Sequence, residues 1–207
     1  MNGTLALQGG GPFAANDDLD RRVLTSAGAT RAVVLPTADA FEHPERLVAA
    51  AMTWGERLDV EVEALMVMRR GEAMDRGVAE VIHGARAVYL VGDQPLHLRS
   101  VLKGTPLWEA ITGVLEDGGV VVATGGSAAA MCDPMVDPRG GAFTLGLGLV
   151  VGLALVTEAE TWSAERLHRT LKLANTPLVE LPSGAALVRT PTGWEQVGDV
   201  TVHGDLP

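Results

Sequence analysis

One hydroxyl in this sequence stands where acyl-transfer chemistry needs one. Gly119 to Met131 reads GVVVATGGSAAAM: a β-branched run from Val120 to Val122, then Gly125-Gly126, then Ser127 ahead of Ala128, Ala129, Ala130 and Met131. The valines suit a parallel strand buried on both faces. Two glycines permit a sharp turn, and the alanines suit the first turns of a helix. A strand, a tight turn and a helix hold one side chain above the sheet edge, where the positive helix end and the Ala128 N–H can stabilise an oxyanion. Strained torsions at Ser127 and a hydroxyl projecting into a crevice are therefore expected. The competing reading of G-G-S is a strand-to-helix turn in which Ser127 is only an N-cap. Two other loops carry ligand chemistry. Gly9-Gly10-Gly11-Pro12 lets a backbone approach a ligand closely, and in Gly92-Asp93-Gln94-Pro95 the Gln94 amide offers donors and acceptors to a carboxylate or amide. As a dinucleotide fingerprint the first loop is weak, because its spacing is not G-x-G-x-x-G and no acidic residue closes the next strand.

Composition narrows the classes of function. The chain has 207 residues, 47% apolar and 20% charged, which suits a single domain over residues 1–207 with a sheet covered on both faces. A formal net charge of -10 would be repelled by a nucleic-acid backbone or an anionic membrane, so neither is expected as a partner. The single Cys132 excludes an internal disulfide. The N-terminus enters a strand pattern without a charged, apolar leader, and no apolar run free of glycine and charge reaches membrane-spanning length. A soluble cytoplasmic protein without cofactor or metal is expected, and a homodimer is left open.

The elements that must position these residues alternate along the chain. Apolar strands are predicted at Gly3 to Gln8, Arg31 to Pro36, within Leu58 to Met68, at Ala87 to Val91 and at Val120 to Thr124. Between them run helical patterns opened by Asn16, Asp17 and Asp18 and ending at Gly28, then about Pro44 to Arg57, about Glu72 to His83, after Pro95, and from Pro106 to Asp117, the last opened by a Thr105 cap. Such alternation implies right-handed crossovers, a doubly wound, mostly parallel sheet and a ligand crevice at the carboxyl ends of the strands. Beyond Cys132 come a turn-rich excursion, a glycine-punctuated apolar stretch to Thr157 and a helix from Ser163 to Ala174. Short strands near 178–181, 185–189, 194–197 and 200–202 read as a small antiparallel extension.

Several segments, in order, resemble peptidase family S51, the cyanophycinases and aspartyl dipeptidases, whose flavodoxin-like fold is similar to class I glutamine amidotransferases. YLVGDQPLHLRSVLKGTPLWEAI resembles the family's strand, Gly-Asp-Gln loop and following helices. VVVATGGSAAAM resembles its G-x-S-A-G-A elbow. GLGLVVGLALVTEAETWSAERLHRTL resembles the segment that carries G-L-G-L-L, Asp-x-His-Phe and an Arg-rich helix, and SGAALV resembles the terminal G-T-A-L-V strand.

The resemblance implies a serine hydrolase of small peptides or amides. It puts Ser127 at the nucleophile and makes the Ala128 and Gly92 N–H groups oxyanion donors, with Gly10, Asp93 and Gln94 at the substrate. Matching Arg166-Leu167 to the family helix places Glu160 where a histidine should stand and Glu158 at the preceding aspartate, and two acids at i and i+2 on a strand face the same way and would compete for one proton. No histidine lies between Ser127 and His168. A serine needs a base, and Glu160 can serve only with a strongly raised pKa; His168 can serve only if its helix enters the crevice. The elbow also departs from the pattern, since Ala129 replaces its last glycine. Two readings of function stay open: a hydrolase with an atypical base, and a degenerate family member acting as a ligand-binding or regulatory module.

Overall fold

The computed structural model describes residues 2–207. Five parallel strands form its centre: β1 (Thr4–Gln8), β2 (Arg31–Leu35), β3 (Glu61–Ala64), β4 (Ala87–Leu90) and β5 (Val120–Thr124). They lie in the order β3-β2-β4-β5-β1, and β12 (Ala186–Thr190) and β13 (Gly193–Val197) extend the sheet antiparallel beyond β1. The strands are apolar on both faces because both are covered. Leu5, Leu7, Val33, Leu35, Val88, Leu90 and Val121 belong to one core, while the alternate residues Ala6, Val34, Tyr89, Val120 and Val122 belong to the other.

The second face is covered by α1 (Asp17–Ala27) and α2 (Pro44–Leu58), through Leu19, Val23, Trp54 and Leu58. The first is covered by α3 (Arg70–Ala73), α4 (Arg76–Glu80), α5 (Pro95–Leu102), α6 (Pro106–Glu116) and α7 (Gly126–Met131). From β2 the chain crosses outward to β3, whereas from β4 it crosses the other way to β5, so the direction of winding reverses between β2 and β4. Crevices in doubly wound sheets form at such reversals, outside the carboxyl ends of the strands.

Two predicted elements differ. The helix expected over 72–83 is split into α3 and α4, because Asp75 leaves the helix and its carboxylate accepts the Gly77 N–H at 2.7 Å, capping a new start. The short C-terminal strands pair antiparallel as expected, but they divide between the edge of the main sheet and a second sheet. After β6 (Cys132–Asp133), β7 (Met135–Val136), β8 (Phe143–Thr144) and β9 (Val150–Val151), strand β10 (Ala154–Thr157) pairs parallel to β11 (Leu178–Leu181), and β14 (Thr201–His203) adds antiparallel. That separate sheet is roofed by α8 (Ala164–Leu173), whose Leu167 and Leu171 pack on Ala154, Val156 and Leu178. Among the described residues no helix is long and apolar enough to cross a membrane.

Candidate functional site

The carboxyl ends of β1, β2, β4 and β5, with the turn after β10, meet at the reversal of winding. The residue that makes the turn out of β5 is Gly125, with φ 64° and ψ −133°, a conformation essentially reserved for glycine. Helix α7 begins at the next residue, so the strained position between strand and helix carries no side chain. The expectation that Ser127 carries the strain is corrected: it lies within α7, outside the positive-φ residues. It does not project into the crevice either. Ser127 is fully buried, its hydroxyl donates to Gly92 O at 3.1 Å and its N–H donates to the same oxygen at 2.9 Å.

The expected oxyanion donor is also engaged, since the Ala128 N–H donates to Gly125 O at 3.0 Å. At Gly92, whose φ is 113°, the backbone passes so close to Asp39 that an added Cβ would stand 2.5 Å from its Oδ1. A Cβ on Gly125 would stand 2.4 Å from Asp93 Oδ1. The Asp93 carboxylate therefore fills the space in which a side chain at the elbow would begin.

Four carboxylates gather here. Asp93 donates its N–H to Asp39 Oδ1 at 2.8 Å, and Asp93 Oδ1 accepts the Gly126 N–H at 3.4 Å. Asp93 is exposed as a residue, but its carboxyl is packed against the sheet edge, and that burial raises its pKa, with the Asp39 charge adding to the rise. Glu158 follows β10 in the left-handed region, φ 48° and ψ 44°, which is rare for a residue with a Cβ. Its side chain lies over Gly10, where a Cβ would stand 2.8 Å from both Glu158 Cγ and Ser183 Oγ. Burial raises the Glu158 pKa, and the charges of Asp93, Glu160 and Asp39 raise it further.

The base expected at Glu160 is corrected. Glu158 and Glu160 do not share a strand face: Glu160 sits in a single 3-10 turn, is exposed, and accepts the Ser183 N–H at 3.2 and 3.1 Å. Burial raises the Glu160 pKa, but the hydrogen bonds from Ser183 and from the Glu160 backbone together outweigh it and hold the pKa below its ordinary value, the opposite of what a neutral-pH base requires. His168 is exposed on α8 and does not enter the crevice. The other histidines are engaged elsewhere: His43 with Glu45, His83 with Glu80, His97 with Met68 O, and His203 with Glu180.

Gln94 caps α5 from an exposed position and lines a cavity of about 210 Å³ with Phe41, His97, Asp137 and Arg139. Cys132 is buried and its thiol is pushed far up by that burial, so it offers no thiolate. Among the described residues no cluster of His, Cys, Asp or Glu is arranged to hold a metal ion.

Sequence reasoning passed over Asp39 and gave Glu158 no role of its own. For Asp39 the available signal was position: it falls four residues after a parallel strand, on the edge where doubly wound folds bind ligands.

Solved structures share this architecture. A peptidase from an acI-B1 actinobacterium superposes with a TM-score of 0.88 at 23% identity, covering 100% of this chain and 93% of its own. A peptidase E candidate from Listeria monocytogenes EGD-e superposes at 0.72 with 15% identity, covering 98% of each chain. At these identities the likeness is one of fold. No curated protein matches the chain. The strand ends that build the crevice, from β1 to the elbow and on to Met135, fall within the match of residues 5–135 to the family model for peptidase family S51, well over half of the sequence, and the chain belongs to that family.

Proposed function

We propose that the protein is a non-hydrolytic member of its family, a module that binds small peptides or amino-acid-like amines in the acidic crevice. Family membership supports a peptidase-like function and so a peptide-like ligand. The observation that carries the loss of hydrolysis is the elbow residue itself: Gly125 has the strained geometry and no nucleophile, while Ser127 spends its proton on Gly92 O. The carboxylates support the ligand class. Burial raises the pKa of both Asp93 and Glu158, the Asp93 charge adds to the rise at Glu158, and a ligand ammonium group would favour the ionised forms of both.

The test compares dipeptides bearing a free amino terminus with the same dipeptides N-acetylated, by calorimetry at neutral pH, alongside fluorophosphonate labelling and a hydrolysis assay. Binding of the free amines alone, weakened at least tenfold in Glu158→Gln and Asp93→Asn, with no labelling above the Ser127→Ala background, is expected. Turnover and stoichiometric labelling, both lost in Ser127→Ala, would instead establish the competing reading of a serine hydrolase.

A further inference from the structure

Below the crevice, a chain of buried polar side chains runs through the interior between the sheet and its α1–α2 cover. Asp20 of α1 is 1% exposed. Its Oδ1 accepts from Gln8 Nε2 at 2.7 Å, its Oδ2 accepts from Trp54 Nε1 at 3.1 Å, and the Tyr89 hydroxyl faces it from β4. Gln8 ends β1 and is the register partner of Thr124, which ends β5. The Thr124 hydroxyl donates to Gln8 Oε1 at 2.9 Å. Separately, the main-chain carbonyl of Gln8 accepts the N–H of Gly125, the elbow residue, at 3.1 Å. Gln8, Asp20 and Thr124 are all buried, and none is used by the site above.

The hydrogen bonds have a direction. An ionised carboxylate only accepts, so Gln8 must turn its NH2 end to Asp20 and its carbonyl end to Thr124, and Thr124 must donate. A protonated carboxyl has a hydrogen to give. Gln8 can take it by rotating its amide half a turn, since the two ends are nearly the same shape and need no repacking. We propose that Asp20, Gln8 and Thr124 form a proton-driven polarity relay, in which protonation of Asp20 reverses the Gln8 amide and turns the Thr124 hydroxyl from donor to acceptor toward Gln8, one residue before the elbow.

The step balances. One proton from solvent forms an O–H bond on Asp20, which then donates to Gln8 Oε1. Gln8 Nε2 donates to Thr124 Oγ1, and the Thr124 hydroxyl hydrogen rotates away from Gln8. No other covalent bond forms or breaks. The surroundings allow the step near neutrality. Burial among Phe13, Trp54 and Tyr89 raises the Asp20 pKa to about 6 against the lowering effect of its hydrogen bonds from Gln8 and Trp54, and the charge of Asp17 adds a little. The groups facing Asp20 from β1, β4 and α2 are the neutral Gln8, Tyr89 and Trp54. The charged neighbour is Asp17 on α1, held in turn by Arg57 of α2 at 2.9 Å.

Nuclear magnetic resonance of the isotope-labelled full chain between pH 4.5 and 8 tests the relay. The Gln8 side-chain NH2 and the Trp54 indole N–H are expected to titrate with the Asp20 carboxyl carbon, and the Gly125 and Gly126 amides to follow with the same midpoint. In Thr124→Val the Gln8 response should persist while the Gly125 and Gly126 responses fall by more than half, and Thr124→Ser should restore them. Asp20→Asn should abolish all four. A Gln8 amide that stays constant while Asp20 titrates overturns the relay. So does a Gly125 response that survives in Thr124→Val, a comparison that does not depend on Asp20→Asn folding.

Discussion

At Gly125, conformation and contact both argue against any side chain. The φ of 64° with ψ −133° costs a non-glycine residue on the order of 1–3 kcal/mol, and an added Cβ would press on Asp93 Oδ1. Gly125→Ala should therefore lower stability by about 2 kcal/mol, read as the urea midpoint at constant m. Ser127→Ala removes one buried hydroxyl and leaves Gly92 O with the Ser127 N–H as partner, so a loss of only about 1 kcal/mol is expected. An effect on ligand affinity larger than on stability would return Ser127 to the site. The elbow was legible as strand, glycine turn and helix, but not which of three adjacent residues takes the strain. Two glycines in a row let the turn close two residues earlier than a G-x-S pattern implies, and that shift carries Ser127 from the crevice into the core.

The elements that arose from strong local signals match their sequence patterns. Strands β1, β2, β4 and β5 are short apolar runs ended by turn residues, and α6 begins at a Thr-Pro pair in which Thr105 Oγ1 accepts the Trp108 N–H at 3.2 Å. Thr105→Ala should cost about 1 kcal/mol and Thr105→Ser much less, measured by the same denaturant midpoint. Illegible stretches were those where a side chain competes with the backbone or where pairing is remote. Asp75 interrupts a helical pattern by capping a new one. From Cys132 to Thr157 the two-residue strands β6 to β9 pair across excursions, and β10 meets β11 from 24 residues away, so no local periodicity fixes their partners. Glu158 and Glu160 inherit this problem. Alternation placed them on one strand face, whereas β10 ends at Thr157 and a left-handed Glu158 sends the two carboxylates to different neighbours.

For the whole molecule, the buried Asp20 makes an unusual prediction about pH. Its folded pKa of about 6 lies above the ordinary 3.8, so between those values the native state holds a proton that the unfolded chain has lost. Stability from this group is present below about pH 4 and is lost as pH rises through 6, a fall of about 3 kcal/mol at about 1.4 kcal/mol per pH unit. Asp93 and Glu158 act in the same direction through their raised pKa values, whereas Asp137, lowered by its Arg139 partner, acts in the opposite one. In Asp20→Asn no proton is exchanged at this site. The variant should therefore lose most of the fall in unfolding free energy between pH 4.5 and 7.5 that the natural chain shows. If both proteins have the same slope over that range, Asp20 titrates alike in the folded and unfolded states and its burial is offset by the hydrogen bonds from Gln8 and Trp54. If only the natural chain weakens, the protein is tuned to hold an uncomfortable charge at neutral pH beneath its own crevice, as a residue that must change its protonation state would require.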